Sequence, residues 1–278
     1  MVELLGGADI RALADSLGVV PTKKLGQNFV TDPNTIRKIV ASAKLQANET
    51  VVEIGPGLGS LTLGLLEAVD HVISVEIDTK MAAAIEQTVA KRAVGRRFSL
   101  VTQDAMKVSE LPAAPTALVA NLPYNISVPV LLHFIETFPS IRHGLVLVQS
   151  EVAHRLAAAK GSKVYGGPSA KLAWWADANL AGNVSRSIFW PIPNVDSSLV
   201  YFSKRSEPLG SEELRLKTFA IIDSAFAQRR KTLRQALAEF AGSPSAAEDL
   251  LKEAGLSPQL RGEQLDINDF LKIAKASR

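Results

Sequence analysis

Three glycines at alternate positions follow a β-rich run in this chain. Gly55, Gly57 and Gly59 come after the predicted strand Thr50–Ile54 and lead into the helical pattern Leu58–Ala68. Glycines at a strand-to-helix turn let the backbone turn tightly and approach a ligand closely. The loop therefore has the residues needed to hold a phosphate-bearing or nucleoside ligand.

Two carboxylates come at the ends of the next two predicted strands. Glu76 ends the run His71–Ile77, and Asp104 follows the run Phe98–Thr102. The carboxyl ends of neighbouring parallel strands form one crevice, in which an acid can accept hydrogen bonds from both ribose hydroxyls. Asp104 is placed to meet an adenine amine. Together with the glycine loop these acids predict a nucleoside site; the alternative is a tight turn with ordinary surface acids.

The glycine spacing separates two classes of nucleoside site. The dinucleotide fingerprint G-x-G-x-x-G requires glycine at position 60, where this chain has Ser60. The observed G-x-G-x-G, preceded two residues earlier by Glu53, resembles the loop of S-adenosylmethionine-dependent methyltransferases. We therefore expect S-adenosyl-L-methionine as the cofactor.

The tetrapeptide Asn121-Leu122-Pro123-Tyr124 follows the predicted strand Ala117–Ala120 and suits methylation of an exocyclic amine. The Asn121 side-chain carbonyl and the Leu122 backbone carbonyl can accept hydrogen bonds from the amine and aim its lone pair. Pro123 fixes the loop, and Tyr124 can stack on a flipped base. The alternative interpretation is a turn with a buried aromatic.

A second aromatic follows in the segment Phe189–Ser197, where two prolines stiffen a predicted loop. They could hold Phe189 as the other face of a base sandwich. From the residues alone, a hydrophobic loop before the last strand, Ser198–Phe202, is an equally good interpretation.

Strand-like and helix-like patterns alternate from residue 50 to residue 148, which indicates βαβ units and a mostly parallel sheet. Right-handed crossovers then give a doubly wound, Rossmann-like α/β layer. Before it, Asp32-Pro33 has the form of a helix N-cap with proline at the first helical position.

A polar segment with Pro and Gly near residue 205 suits a linker, and the residues after it show only helical patterns. We therefore predict an α/β domain over 1–205, which carries the candidate catalytic residues, and a small all-helical domain over 206–278. Between Lys217 and Arg234 the second domain carries five basic residues and one acid. Such groups neutralise phosphates, although most charge runs are simply solvated helix faces.

The composition excludes several classes of protein. The chain has 278 residues, no cysteine, 47% hydrophobic residues and a formal net charge of +3, so disulfides, thiolate metal sites and a cysteine nucleophile are ruled out. Its four histidines show no metal-ligand spacing, and we expect no metal. The uncharged stretch Leu111–Ile135 contains four prolines and reads as buried structure rather than a membrane span. We expect a cytoplasmic monomer.

At the level of motifs the chain resembles the KsgA-type ribosomal RNA adenine N6,N6-dimethyltransferases over nearly its whole length. The matching segments are LGQNFVTDPN (25–34), VVEIGPGLGSLT (51–62), VEID (75–78), QDAM (103–106), NLPYNIS (121–127), FWPIPNVDSS (189–198) and FAQRRKTLRQAL (226–237). Val30 stands where the family usually has leucine.

The resemblance implies a Rossmann-like methyltransferase domain and a set of functional residues. It assigns S-adenosylmethionine contacts to a set that includes two residues before the glycine loop: Asn28, Val30, Gly55, Glu76, Asp104 and Asn121. It makes Phe189 the partner of the active-site tyrosine and favours RNA contact by the basic cluster: Arg229, Arg230, Lys231 and Arg234.

The substrate implied is a pair of adjacent adenines near the 3′ end of small-subunit (16S) ribosomal RNA in a pre-30S particle, each receiving two methyl groups. Three alternatives stay open. They are the same chemistry on large-subunit RNA, a ribosome-assembly or RNA-binding factor whose catalysis is dispensable, and a nicotinamide oxidoreductase. Ser60 opposes the last.

Overall fold

The computed structural model describes residues 2–18, 28–123 and 126–277, which belong to two compact units. The first unit comprises residues 1–153 and 180–204, and the second comprises 154–179 and 205–278. None of the helices in the described ranges is long and apolar enough to cross a membrane.

The first unit is built on a seven-stranded sheet with the order β4-β3-β2-β5-β6-β9-β7. Strands β2 to β6 are parallel, and β9 pairs antiparallel with β6. The strands are β2 (Thr50–Ile54), β3 (His71–Glu76), β4 (Arg97–Thr102), β5 (Ala117–Asn121), β6 (His143–Gln149), β7 (Ala176–Val184) and β9 (Ser197–Lys204). A separate two-stranded sheet pairs β1 (Phe29–Val30) with β8 (Phe189–Trp190).

Apolar runs explain why these strands lie at the centre. Strands β2, β5 and β6 are buried almost throughout, as expected of parallel strands covered by helices on both faces. The helices that precede or connect them are α1 (Gly7–Ser16), α2 (Pro33–Ser42), α3 (Ser60–Ala68), α4 (Thr79–Arg92) and α5 (Ser127–Thr137). This confirms the predicted doubly wound α/β layer.

Local capping fixes the start of α2 as the sequence predicts. The Asp32 carboxylate accepts hydrogen bonds from the Asn34 N–H (3.2 Å) and the Thr35 N–H (3.0 Å), with Pro33 as the first helical residue. The carboxylate thus satisfies two backbone N–H groups that the helix itself leaves without acceptors.

The second unit is largely helical, which confirms the predicted helical C-terminal region. Its helices are α7 (Gly167–Trp175), α8 (Glu212–Ala227), α9 (Leu233–Ala236), α10 (Ala238–Ala241), α11 (Pro244–Glu253) and α12 (Ile267–Ala276); α6 (Ser150–Leu156) runs across the unit boundary.

The contiguous division at residue 205 differs from the observed partition, because residues 154–179 belong to the helical unit. Tyr165 and Trp174 from this segment are 3% and 1% exposed and share one apolar core with Ile221 and Phe270. Burial of these large aromatic side chains explains why the segment belongs to the helical unit.

Candidate active site

The glycine loop begins where β2 ends. The Gly55 N–H donates to the Val75 carbonyl (2.9 Å), and all three glycines have positive φ, at 68°, 55° and 97°. A Cβ on Gly57 would lie 2.7 Å from the Phe29 ring. Side chains are therefore excluded here by backbone conformation and by space, and the loop backbone stays open to a cavity.

Glu76 ends β3 beside this loop. Its Oε2 accepts from the Gly57 N–H (3.4 Å) and its Oε1 from the Asp78 N–H (3.0 Å). The side chain is only 8% exposed, and burial raises the pKa of its carboxyl above the ordinary value. Ligand hydroxyl groups that donate to this carboxylate would stabilise its charged form.

Glu53 is buried beneath the same loop, at 1% exposure. Its Oε2 accepts from the hydroxyl groups of Thr62 (2.6 Å) and Ser74 (2.8 Å). Burial, with a smaller contribution from the Glu76 charge, raises the pKa of Glu53 to about 7. Sequence reasoning used Glu53 only as part of a motif; its distance along the chain from Thr62 and Ser74 hides this buried cluster.

One cavity in the first unit brings together all six residues assigned to the cofactor. Its wall includes Asn28 and Val30 from the β1 region, Gly55 from the loop, and three residues at the carboxyl ends of strands or just beyond them: Glu76, Asp104 and Asn121. Their contacts with a ligand remain a prediction. Asp104 also caps a short turn, since its Oδ1 accepts from the Met106 N–H (3.0 Å).

The tetrapeptide begins with Asn121, the last residue of β5. The Asn121 Nδ2 donates to the Asn28 carbonyl (3.1 Å), which joins two cavity residues that lie far apart in sequence. Leu122 is 1% exposed, and its N–H donates to the Leu147 carbonyl (3.1 Å). Pro123 lies on the cavity wall, whereas Tyr124 lies outside the described residues.

Phe189 lies buried in the small two-stranded sheet, and its stacking role stays a prediction. It is 2% exposed, pairs with Val30 across the β1–β8 ladder, and is not among the described residues that line the cavity. The aromatic ring on the cavity wall is that of Phe29, which stacks on Trp190 with centroids 6.2 Å apart. The resemblance placed the Gln-Asn-Phe segment that contains Phe29 over the cofactor, but it gave this ring no separate role.

The predicted RNA-binding residues belong to the helical unit and divide into two kinds. Arg229 and Arg234 form ion pairs, with Glu263 at 3.0 Å and with Glu248 at 2.8 Å. Arg230 and Lys231 are exposed in the turn after α8. The cluster therefore lies beyond the end of one helix and only partly at the start of the next.

Comparison with known proteins agrees with this geometry. The family model described as Ribosomal RNA adenine dimethylase matches residues 21–277. The chain is 59% identical to Ribosomal RNA small subunit methyltransferase A of Streptomyces coelicolor over 98% of this chain and 96% of that protein. A dimethyladenosine transferase from Plasmodium falciparum has a similar structure, with a TM-score of 0.74, 25% identity and coverage of 88% of this chain and 95% of that one.

The fold is also shared with a methyltransferase named for large-subunit ribosomal RNA. The 23S rRNA methyltransferase ErmE superposes with a TM-score of 0.66 at 22% identity, over 89% of this chain and 98% of that one. At this identity the likeness concerns the fold alone. The match to the family model over nearly the whole sequence confirms the resemblance seen in the motifs: the chain belongs to the ribosomal RNA adenine dimethylase family.

Proposed function

We propose that this chain is an S-adenosylmethionine-dependent enzyme that dimethylates the N6 amines of two adjacent adenines near the 3′ end of small-subunit (16S) ribosomal RNA. The observation that carries the proposal is the convergence of Glu76, Asp104 and Asn121 on one cavity beside the glycine loop. The name of the Streptomyces coelicolor relative supports the small subunit as the substrate.

The cavity fits the proposed cofactor in shape and in chemistry. The positive φ values of the loop and the nearness of Phe29 to Gly57 keep its backbone bare, so that a nucleoside can lie close to it. Glu76 would accept hydrogen bonds from the ribose hydroxyls, and Asp104 would meet the adenine amine. When bound, S-adenosylmethionine supplies an electrophilic methyl group on a positively charged sulfur.

Asn121 and Leu122 would prepare the amine of the substrate base. The lone pair of an adenine N6 amine is delocalised into the ring, which makes the amine a poor nucleophile. Two carbonyl oxygens that accept hydrogen bonds from its N–H groups would draw the nitrogen toward tetrahedral geometry and hold it in line. Such positioning supplies most of the rate gain, because the leaving group needs no protonation.

The base itself would be held by stacking after it leaves the RNA helix. Tyr124 is proposed as one face. Phe189, which is buried in this structure, is proposed as the other. Phe29, on the cavity wall, instead borders the cofactor region.

The proposal also covers the substrate particle, the cellular compartment and the oligomeric state of the enzyme. The substrate would be a pre-30S particle in the cytoplasm, and the enzyme would act as a monomer. Exposed Arg230 and Lys231 would contact RNA phosphates, and binding would weaken as salt concentration rises.

The test is transfer of labelled methyl groups from S-adenosylmethionine to small ribosomal subunits that lack the adenine marks, with large subunits in parallel. We expect two methyl groups on each of two small-subunit adenines. Label confined to large subunits would move the chain to the large-subunit branch. Tight particle binding without label would favour the assembly-factor alternative.

A binding measurement distinguishes a methyltransferase from the nicotinamide oxidoreductase, which is the remaining alternative. S-adenosylhomocysteine should raise the unfolding temperature of the chain, because a ligand that binds only the folded state stabilises it, and NAD should not. Stabilisation by NAD alone would support the oxidoreductase instead.

A further inference from the structure

Trp190 is one residue removed from the cavity of the first unit. It belongs to β8, and its partner across the two-stranded sheet is Phe29. The two rings stack with centroids 6.2 Å apart and an angle of 27° between their planes. Phe29 lines the cavity, whereas Trp190 is half-buried and is not among the described residues of the cavity wall. Any effect of Trp190 on a ligand in the cavity therefore passes through a neighbour, and Phe29 is the neighbour that lies on the wall.

The Phe29 ring also packs against the glycine loop. It occupies the space that a side chain at position 57 would need, since a Cβ on Gly57 would lie 2.7 Å from the ring. The N–H of Gly57 in turn donates to the Glu76 carboxylate (3.4 Å). The position of one aromatic ring therefore bears on the loop backbone and, through it, on the carboxylate that is proposed to receive the ribose hydroxyls.

The backbone on both sides of Phe29 is anchored by hydrogen bonds. Before it, the Asn28 carbonyl accepts from the Asn121 Nδ2 (3.1 Å). After it, the Thr31 N–H and Oγ1 both donate to the Ile188 carbonyl, each at 2.8 Å. These bonds fix where the side chain of Phe29 starts but not which rotamer it adopts. The rotamer depends on what the ring packs against, and the aromatic stack on β8 is one of those contacts.

We propose that Trp190 is a positioning residue for the cofactor: it holds the Phe29 ring against the glycine loop, where the ring completes the wall of the cavity. The inference rests on the proposed function, since it takes this cavity to be the S-adenosylmethionine site. Without the stack the ring would sample several rotamers. The ligand would then have to order the wall as it binds, and this ordering reduces affinity.

The experiment is calorimetric titration of the full chain with S-adenosylhomocysteine. Trp190→Ala should weaken binding by about three- to tenfold, the usual effect of losing one aromatic pair. Trp190→Phe keeps a flat ring and should bind within about twofold of wild type. Trp175→Ala is the matched control, because it removes another half-buried tryptophan from the helical unit, and it should leave binding unchanged. Trp190→Leu, with the same expected weakening, replaces Trp190→Ala if that variant unfolds at the titration temperature.

A double-mutant cycle tests whether Trp190 acts through Phe29. Phe29→Leu removes the ring from the cavity wall and should itself weaken binding. Adding Trp190→Ala to Phe29→Leu should weaken binding little further, because two residues that act as one unit give non-additive effects. Additive losses in the double variant would show that Trp190 acts by a separate route and would overturn the positioning role.

The wild-type titration distinguishes a failure of this inference from a failure of the proposed function. If the wild-type chain binds S-adenosylhomocysteine and Trp190→Ala binds it equally well, only the role of Trp190 is wrong. If the wild-type chain does not bind S-adenosylhomocysteine at all, the proposed function fails, and the inference fails with it.

Discussion

Two buried glutamates at opposite ends of β2 have opposite electrostatic surroundings. Glu49, just before the strand, is 3% exposed and accepts from the Gln46 N–H (2.9 Å), the His143 ring (3.0 Å) and the Arg142 guanidinium (3.3 Å). Burial alone would raise the pKa of Glu49, but the hydrogen bonds from Gln46, His143 and Thr116 hold it below the ordinary value.

Glu53, near the other end, is equally buried but meets two neutral hydroxyl groups and a neighbouring carboxylate, so its pKa rises to about 7. The amino end of the sheet therefore satisfies its buried charge internally, which stabilises the fold. The carboxyl end leaves its acids short of donors, and a ligand can supply them. We infer that substitutions at the amino end will chiefly lower the stability of the fold, whereas substitutions at the carboxyl end will chiefly lower its activity.

The largest expected effect is at the carboxyl end. Asn121→Ala should lower the rate of methyl transfer by about 10²–10³-fold, the usual cost of losing one group that stabilises the transition state. The measurement is single-turnover transfer to small subunits, with the unfolding temperature and RNA binding as controls that should change little. Retained transfer would remove Asn121 from the proposed mechanism.

The raised pKa of Glu53 predicts an unusual dependence of stability on pH. A carboxyl whose pKa is raised by folding, here from 4.5 to about 7, contributes stability that is present below pH 4.5 and is lost as the pH rises through 7. The full change is of the order of 3 kcal/mol.

Denaturant unfolding of the ligand-free wild-type chain and of Glu53→Gln, from pH 4 to pH 8, isolates this contribution as a difference. As the pH rises from 4.5 to 7, the free energy of unfolding of the wild-type chain should fall steadily relative to that of Glu53→Gln. A difference that is constant with pH would show that Glu53 is not protonated in the folded chain.

Glu49→Gln should show the reverse behaviour. The lowered pKa of Glu49 means that its stabilisation is present above pH 4.5 and is lost as the pH falls through the folded value. At pH 7 we expect a loss of about 1–3 kcal/mol in the free energy of unfolding, with transfer at 25 °C unchanged. Slower methyl transfer by the variant, under conditions in which it stays folded, would contradict the division between a stabilising amino end and an active carboxyl end of the sheet.

The smallest effects are expected for two helix N-caps, which are also the most closely matched pair of residues. Asp32 caps α2, and Asp78 caps α4 by accepting from the Lys80 N–H (2.8 Å) and the Met81 N–H (3.3 Å). Each change to alanine should cost about 1 kcal/mol of stability. Only Asp78 lies on the cavity wall, so only Asp78→Ala should also weaken binding of S-adenosylhomocysteine in a calorimetric titration.

Local signals allowed much of the fold to be predicted. Apolar runs marked the parallel strands, the Asp32-Pro33 pair marked the start of α2, and the glycines marked the loop, because each signal lies within a few residues of the structure that it produces. Glu76 and Asp104 followed from one topological rule, that parallel strands share their carboxyl edge, whereas Asn28 and Val30 followed from the family resemblance.

The features that sequence reasoning missed depend on contacts between distant residues. Nothing near Phe189 indicates that it pairs with Val30, and nothing near Arg229 indicates that Glu263 and the Lys163 carbonyl will hold it. The segment 154–179 joined the helical unit because its aromatics are buried there. In each case the folded structure determines which residues are in contact, and the neighbouring sequence does not.

The most direct test of this active site is a crystal structure of the chain with S-adenosylhomocysteine. We expect the ligand in the cavity beside Gly55 and Gly57, with its ribose hydroxyls donating to Glu76, its adenine next to Asp104, and Asn121 near the sulfur. A ligand bound elsewhere, or bound in the cavity without contact to Glu76, would contradict the central claim that this edge of the sheet is the active site.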